Sequence, residues 1–154
     1  MVDNNPVKFL KEWIIRYLKN KDIITKKIVS IEEKEESFIL TRADKKQEFF
    51  VEPFLNDLNN TLSKLKAEHK SLVCLHTKEN FDTLLKEWKK FVDIGRNFMV
   101  YFVNPFSKTE RVLVLSPHTH NMISDEDSLV MGLKTMAENV EYTTEEEVKK
   151  IISS

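Results

Sequence analysis

Four side chains of the kind that bind zinc occur in this sequence as two closely spaced pairs. Cys74 and His76 are separated by one residue, and so are His118 and His120. On an extended strand, residues two apart point to the same side, so each pair has the spacing of two ligands to one ion. The strand directions predicted below oppose a shared site, because they place the two pairs at opposite ends of the sheet, on the order of 15–20 Å apart. Zinc is therefore not an expected cofactor, and His118 and His120 are interpreted as polar loop residues.

Cys74 and His76 also have the residue types of a nucleophile and its base. Neighbours on the same face of a strand seldom reach the required hydrogen-bond geometry, and nothing in the sequence places a third, orienting group. A buried and inert thiol is the expectation. Cys74 is the only cysteine, so no internal disulfide can form, and a reducing compartment, the cytoplasm, is predicted. The only glycines are Gly95 and Gly132, which excludes a glycine-rich phosphate-binding loop.

The composition is that of one ordinary globular domain over residues 1–154. The chain is 41% hydrophobic and 32% charged, with a net charge of −1. No apolar run approaches the roughly 18 residues of a membrane span, so no membrane partner is expected. The near-neutral charge argues against extensive coating of nucleic acid.

Charge is nevertheless distributed unevenly along the chain. Residues 1–30 contain seven lysines and arginines against three acids, whereas residues 121–154 contain three against eight. The basic end has the charge of a phosphate-binding surface, with Lys8, Lys11, Arg16 and Lys19 as the candidate nucleic-acid-binding residues. The alternative is a solvated helix face.

Hydrophobic periodicity predicts a three-layer α/β sandwich around a mixed sheet of about six strands. The predicted elements are, in order, a helix over 6–19, strands over 23–32, 37–42 and 47–52, a helix over 54–68, a strand over 72–76, a helix over 81–92, strands over 98–103 and 111–115, a loop over 116–121, a helix with its apolar stripe over 129–140, and a helix over 144–152.

The details of these elements carry three further expectations. The strands around the 81–92 helix should lie parallel, with a right-handed crossover, and the following strand should return antiparallel. Asn80 is predicted to cap the 81–92 helix, and Thr144 with Glu147 to form a capping box for the last helix. Trp13 and Tyr17 fall on the apolar stripe of the first helix and are interpreted as packing.

The order of elements resembles that of the restriction-endonuclease-like superfamily, the PD-(D/E)xK nucleases. An initial helix, a three-stranded meander, a crossover helix and a parallel strand make up its core order αβββαβ, followed here by a C-terminal β-β-α-α. The resemblance covers roughly residues 6–103. The stretches Thr77-Lys78-Glu79-Asn80 and Phe102-Val103-Asn104-Pro105 look like those of an uncharacterised branch of that superfamily.

This resemblance implies a metal-dependent nuclease site. Active members carry an aspartate near the second strand and an acidic-x-lysine motif on the third, and these carboxylates hold one or two Mg²⁺ ions. The matching metal ligands here are Asp44 and Glu52, which would bind Mg²⁺ or Mn²⁺. Glu12 matches an additional acid that some members place on the first helix. The alternative is that Asp44 is a turn residue and Glu52 a strand-end carboxylate.

The motif is incomplete, because the position two residues beyond Glu52 is Phe54 and Pro53 intervenes. Nucleases of this kind can relocate the lysine to the following helix, where Lys64 or Lys66 would serve. The resemblance therefore implies a nucleic-acid-associated protein, with DNA as its partner, that carries a degenerate nuclease-like site. The rival hypothesis is a non-enzymatic scaffold or subunit that acts through a protein interface, in its simplest form a homodimer.

Overall fold

A computed structural model describes residues 5–153 as a single mixed sheet with helices on both of its faces. In chain order the elements are α1 (Pro6–Asp22), β1 (Ile28–Glu33), β2 (Ser37–Arg42), β3 (Lys46–Val51), α2 (Leu58–Ser63), β4 (Lys70–Leu75), α3 (Lys78–Lys86), α4 (Trp88–Val92), β5 (Phe98–Val103), β6 (Val112–Leu115), α5 (Pro117–Ile123), α6 (Glu126–Ala137) and α7 (Glu145–Ser153).

The six strands lie in the sheet in the same order as in the chain, β1-β2-β3-β4-β5-β6. The first three strands form the predicted antiparallel meander. β3, β4 and β5 are parallel, and β6 returns antiparallel to β5. The predicted mixed α/β sheet, its parallel pair around the crossover helix and its antiparallel return are confirmed.

Two apolar clusters pack against the two faces of the sheet. On one face, α1 and α7 contribute Leu10, Ile14 and Val148; on the other, helices α2 to α6 contribute residues such as Phe81 and Leu133. The central strand β4 alternates between these clusters, and five of its six residues are buried, because helices cover both of its sides. This double covering explains why β4 and β5 have nearly continuous apolar sequences.

The connection from α1 to β1 differs from the prediction. α1 continues through the residues that were predicted to break it and ends at Asp22, and β1 begins only at Ile28. The Asp22 carboxylate accepts the backbone N–H groups of Lys27, at 2.8 Å, and Ile28, at 2.9 Å. Lys26 has a φ of +50°. The predicted strand over 23–27 is therefore wrong, because these side-chain hydrogen bonds stabilise a turn there.

The helices after β3 and β4 also differ in their bounds. The predicted helix over 54–68 is reduced to α2, which Asp57 caps. The helix after β4 begins at Lys78, so its N-cap is Thr77 and not Asn80, and it is interrupted at Glu87 into α3 and α4. Thr77 accepts the N–H of Asn80 at 3.0 Å.

The C-terminal region contains one helix that the sequence did not predict. Residues predicted as a loop form α5, with Pro117 in the first helical turn, where its missing N–H has no consequence. At α7, Thr144 accepts the N–H of Glu147 at 3.1 Å, as predicted. The Glu147 carboxylate instead accepts the hydroxyl of Thr143 at 2.9 Å, so the second hydrogen bond predicted for the capping box is replaced.

Candidate functional site

The structure does not bring the predicted metal ligands Asp44 and Glu52 together. Asp44 lies in the turn between β2 and β3, and Glu52 follows the last residue of β3. The whole length of β3 separates them, roughly 20 Å at about 3.3 Å per residue. The pair cannot share one ion, so the residues present do not fit the Mg²⁺ or Mn²⁺ site that the resemblance implied.

Glu52 and Lys64, in contrast, do lie near each other. Partial burial raises the pKa of Glu52, the positive charge of Lys64 opposes that rise, and the negative charges of Glu36 and Asp57 add to it. The Lys64 ammonium lies 3.2 Å from the Glu36 carboxylate. Lys64 is therefore paired with a surface acid at this end of β3.

The predicted basic residues of α1 have different surroundings. The Lys11 ammonium donates to the carbonyls of Lys34, at 2.6 Å, and Glu35, at 3.3 Å, and its side chain is only 12% exposed. Lys11 therefore anchors the β1–β2 turn. Lys8, Arg16, Lys19 and the predicted acid Glu12 are exposed along the helix, and Glu12 lies beside Ile151 and Ile152 of α7, away from Asp44.

The two cysteine and histidine pairs lie at opposite ends of the sheet, as the strand directions predicted. The His76 N–H donates to the Val103 carbonyl at the end of β5, whereas His118 and His120 follow β6, whose last residue pairs with Val100. Cys74 is fully buried, and burial raises the pKa of its thiol far above the usual range. A thiol in this state is a poor nucleophile.

The carboxyl ends of β4 and β5 carry a buried group of polar side chains, which we call the C-terminal polar cluster: His76, Thr77, Asn80, Asn104 and Thr143. The Asn80 amide accepts the N–H of Leu55 and donates to two carbonyls, those of Pro53 and Leu75, all within 2.9 Å. The Asn104 amide donates to the Glu141 carbonyl at 2.7 Å. These side chains connect the loops around the sheet.

His76 belongs to the same cluster and lies against Tyr142. The two rings are stacked with centroids 4.5 Å apart, and Nε2 lies 3.0 Å from the Ala137 carbonyl. Burial lowers the pKa of His76, and the carbonyls of Ala137 and Val140 oppose that change. A neutral imidazole that donates from Nε2 is the consistent state, with Nδ1 left without a partner among the described residues.

A cavity of about 440 Å³ opens beside this cluster, between the start of α3 and the start of α7. Its charged lining consists of Glu79, Glu145 and Glu146, which lie in the first turns of those two helices. Carboxylates at that position stabilise the helix dipole. The amide of Asn80 already makes three hydrogen bonds, so the polar groups that this cavity offers to a ligand are chiefly the three carboxylates.

A second region, which we call the α1 groove, combines aromatic and cationic side chains along the exposed side of α1. Its members are Trp13, Arg16, Tyr17 and Lys21 from α1, Arg42 from β2, Tyr101 from β5 and Arg111 from the segment before β6. Two adjoining hollows of about 480 and 240 Å³ share Tyr17 as a common wall.

The side chains of the α1 groove contact one another. The rings of Trp13 and Tyr17 are stacked with centroids 5.5 Å apart and planes inclined by 13°. The Lys21 ammonium lies 5.0 Å from the centre of the Tyr17 ring, within the range of a cation–π contact. Burial raises the pKa of Tyr101, Tyr17 adds to the rise, and the charge of Arg42 opposes it.

The charge of the groove is positive. Four cationic side chains line it, against the acids Asp22 and Glu110. The Asp22 carboxylate is held by the N–H groups of the following turn, and those hydrogen bonds outweigh burial and lower its pKa. Arg16 is exposed and makes no ion pair with any residue between 5 and 153. Arg16 is therefore a cation of the groove that no acid of the described residues neutralises.

The sequence identified only part of this site. Arg16 was predicted as a nucleic-acid contact. Trp13 and Tyr17 were assigned to packing, and both do pack, partly buried, against the apolar cluster that contains Leu10 and Ile14. The sequence did not show that these two rings also line a groove. The available signal was the alternation of aromatic and basic residues from Trp13 to Lys21, with Arg16 and Lys21 flanking Tyr17. Arg42, Tyr101 and Arg111 come from distant parts of the chain, and no local pattern connects them.

Within the described part of the chain, no group of three or more histidine, cysteine or acidic side chains is placed to hold a metal ion. Across residues 5–153, no helix has both the length and the apolar character needed to cross a membrane. Comparison with protein-family models, with curated proteins and with solved structures finds no match to this chain.

Proposed function

We propose that this protein binds single-stranded nucleic acid, with DNA as the first partner to test, along the α1 groove. The observation that carries the proposal is the stacked pair of Trp13 and Tyr17 beside Arg16, which has no acidic partner among the described residues. Proteins that bind single strands combine aromatic faces, on which bases stack, with a positive groove that follows the phosphates. A duplex, whose bases are already stacked, would use only the cationic part of this surface.

The proposal is one of binding and contains no cleavage step. The separation of Asp44 from Glu52 along β3 leaves no support for the carboxylate pair that a metal-dependent nuclease needs. The restriction-endonuclease-like order of elements stays a prediction. The cytoplasmic location also stays a prediction, and its support is the single cysteine of the sequence, which is buried.

Fluorescence anisotropy of a labelled single-stranded oligodeoxynucleotide, measured at several salt concentrations, tests this proposal. Binding should weaken steeply with salt, because each neutralised phosphate contributes about −0.7 to the logarithmic slope. The double variant R16A/R111A should bind more weakly and should reduce the slope by about 1.4. Duplex DNA of the same sequence should bind less tightly.

The matched control removes two exposed cations on the other side of the sheet, in the variant K86A/R96A. It has the same change in net charge, so it should retain most of the affinity if the α1 groove is the site. Equal weakening by both double variants would indicate attraction to the whole protein. Absence of binding at low salt would contradict the proposed function.

A scaffold that acts through a protein interface is the second candidate, and one observation favours it. Met122, Ile123, Val130 and Met131 of α5 and α6 are between 46% and 76% exposed. Exposed methionines and isoleucines on adjacent helices are typical of protein-binding surfaces. If this surface assembles the protein, M122K and M131K should lower the mass found by light scattering without lowering the melting temperature.

A further inference from the structure

The outer edge of β1 is an open edge of the sheet. β1 pairs with β2 on one side, and no strand within residues 5–153 pairs with its other side. The opposite edge of the sheet is β6, which has four residues, whereas β1 has six. The segment before β6 is also engaged, because Glu110 forms a bridge with Val140. Open edge strands of this length offer unpaired backbone groups to another strand.

The sequence of this edge is complementary to itself when it is read in opposite directions. From Lys27 to Glu32 it reads Lys-Ile-Val-Ser-Ile-Glu. In an antiparallel pairing of two copies centred between Val29 and Ser30, Lys27 lies opposite Glu32 and Ile28 lies opposite Ile31. Just outside this segment, Lys26 comes within reach of Glu33. All four charged side chains are exposed.

A bulge makes this register compatible with the buried face of the sheet. Ile28 pairs with Arg42 and Ser30 with Thr41, so one extra residue, Val29, is inserted in β1. In a regular strand, Ile28 and Ile31 would point to opposite faces. Because of the insertion, both pack against the same apolar cluster. The pairing of Ile28 with Ile31 therefore continues one apolar face across the junction.

Three exposed apolar residues lie at or near this edge. Val29 is 68% exposed, and in the preceding turn Ile23 is 64% and Ile24 92% exposed. The hydrogen bonds to Asp22 fix that turn, so Ile23 and Ile24 are held in these positions. Charged side chains and a bulge, both present in β1, are features by which edge strands usually avoid association. In β1, however, the charges are of both signs and lie in matching positions, so that they favour pairing with a second copy.

We propose that β1 pairs antiparallel with β1 of a second copy of this chain, with Lys27 opposite Glu32 and Ile28 opposite Ile31. The result is a two-fold dimer in which the two six-stranded sheets form one continuous sheet. The same segment contacts itself, so the association closes at two copies and does not propagate into fibres. The inference is independent of the proposed nucleic-acid binding, because none of these residues lines the α1 groove.

Sedimentation equilibrium over a range of concentrations tests the dimer and its register. The wild-type chain should be a dimer at micromolar concentration. K27E and E32K should each raise the dimer dissociation constant by about tenfold or more, because each places two like-charge pairs across the two-fold axis. An equimolar mixture of K27E and E32K should restore the dimer, because every like-charge pair becomes an opposite-charge pair in the mixed species.

The double variant K27E/E32K in one chain should also dimerise, whereas the control variants K66E and E68K, which change exposed charges away from β1, should leave the dissociation constant unchanged. Circular dichroism melting confirms that each variant is folded. A monomer at all concentrations would overturn the proposal. A dimer that neither K27E nor E32K weakens would place the contact elsewhere, and failure of the mixture to associate would exclude this register.

Discussion

The C-terminal polar cluster and the α1 groove contain similar numbers of polar side chains but use them differently. The cluster lies at the carboxyl ends of parallel strands, where α/β sheets usually bind their ligands. Its amides and imidazole are hydrogen-bonded to the backbone of neighbouring loops. In the α1 groove, Arg16 is exposed and unpaired among the described residues, and Lys21 contacts only an aromatic ring.

The difference shows that position in the fold is a weaker guide to a binding site than the hydrogen bonds already made. A buried amide with three partners has room for at most one more hydrogen bond, at its oxygen. An exposed guanidinium beside stacked aromatic rings keeps its N–H donors available for a ligand. If this distinction is correct, substitutions in the C-terminal polar cluster should lower stability and leave nucleic-acid binding intact. Substitutions in the α1 groove should weaken nucleic-acid binding and leave stability intact.

The largest expected effect is on stability and comes from Asn80. Asn80→Ala leaves the N–H of Leu55 without a partner and removes one of two hydrogen bonds at each of the Pro53 and Leu75 carbonyls. We expect the free energy of unfolding to fall by about 2 kcal/mol or more, since a buried group left unsatisfied costs about 1–3 kcal/mol and each lost hydrogen bond adds to that cost. Urea denaturation followed by circular dichroism measures the change. Oligonucleotide affinity should be unchanged under conditions where the variant is folded.

The control for that measurement is Asn59→Ala. Asn59 is exposed on α2 and accepts only the Lys90 ammonium, at 3.1 Å. Its loss should change stability by less than about 0.5 kcal/mol, as is usual at the surface. Similar losses for both asparagines would show that the C-terminal polar cluster does not stabilise the fold more than a surface contact does.

The next effect is on binding and comes from Tyr17. Tyr17→Leu removes the ring that stacks on Trp13 and lies under Lys21. Loss of one base-stacking ring should weaken the affinity for a single-stranded oligonucleotide by about 1–3 kcal/mol, or roughly 5–150-fold, by anisotropy. The matched variant Tyr142→Leu removes the ring stacked on His76 and should leave the affinity unchanged. The comparison between the two regions fails if Tyr142→Leu weakens binding as much.

A moderate effect is expected from His76, and it depends on pH. The pKa of His76 is lowered in the folded protein, so between that value and its ordinary 6.5 the unfolded chain binds more protons than the folded one. Stability should therefore decline as the pH falls below about 6.5. His76→Phe should cost about 1 kcal/mol at pH 7, because the Ala137 carbonyl loses one of its two donors and keeps the N–H of Val140.

Urea denaturation at pH 7, 6 and 5 separates the effect of imidazole protonation from the effect of the lost hydrogen bond to Ala137. The stability difference between the wild-type protein and His76→Phe should shrink as the pH falls, because only the wild-type protein carries the titrating imidazole. A difference that stays constant over this range would show that His76 is protonated equally in the folded and unfolded states.

The smallest effect is expected from Glu52. Its pKa is raised in the folded protein, chiefly by burial, so stability should fall as the pH rises from the ordinary value of 4.5 through the raised value. Glu52→Gln should be more stable than the wild-type protein at pH 7, by less than about 1 kcal/mol because the group is partly solvated. The advantage should vanish below about pH 4.5. The exposed Glu79→Gln serves as the control, and an equal gain there would refute the burial argument.

The parts of the fold that follow from local patterns were predicted well. β2 and β5 have the predicted bounds, because apolar residues occupy every position that faces a core cluster. α5 was missed because Ser116-Pro117-His118 has the composition of a turn, although proline is also favoured at the first position of a helix. The α1–β1 turn was missed because the hydrogen bonds of Asp22 are a tertiary detail without a sequence signature.

The candidate site was predicted only where it lies on one element. The basic residues of α1 were visible in the sequence. The charge pattern could not show that Lys11 is hydrogen-bonded to the β1–β2 turn whereas Arg16 is exposed. The sequence also did not show that Trp13 and Tyr17 line a groove. A helical stripe indicates which residues face the sheet but not where the sheet beneath the helix ends. The predicted metal pair required the ends of one strand to meet, which an extended backbone forbids.

The agreement between strand order and chain order has a consequence for how this protein acquires its structure. Each strand lies beside the one synthesised just before it, so no pairing has to wait for a later strand. Even the longer connections, from β3 to β4 and from β4 to β5, close at a moderate cost in chain entropy, because that cost grows slowly with length. A chain that emerges from the ribosome can therefore extend its sheet one strand at a time. α7, the last described helix, packs against α1, the first. This contact can therefore form only after all six strands have been synthesised.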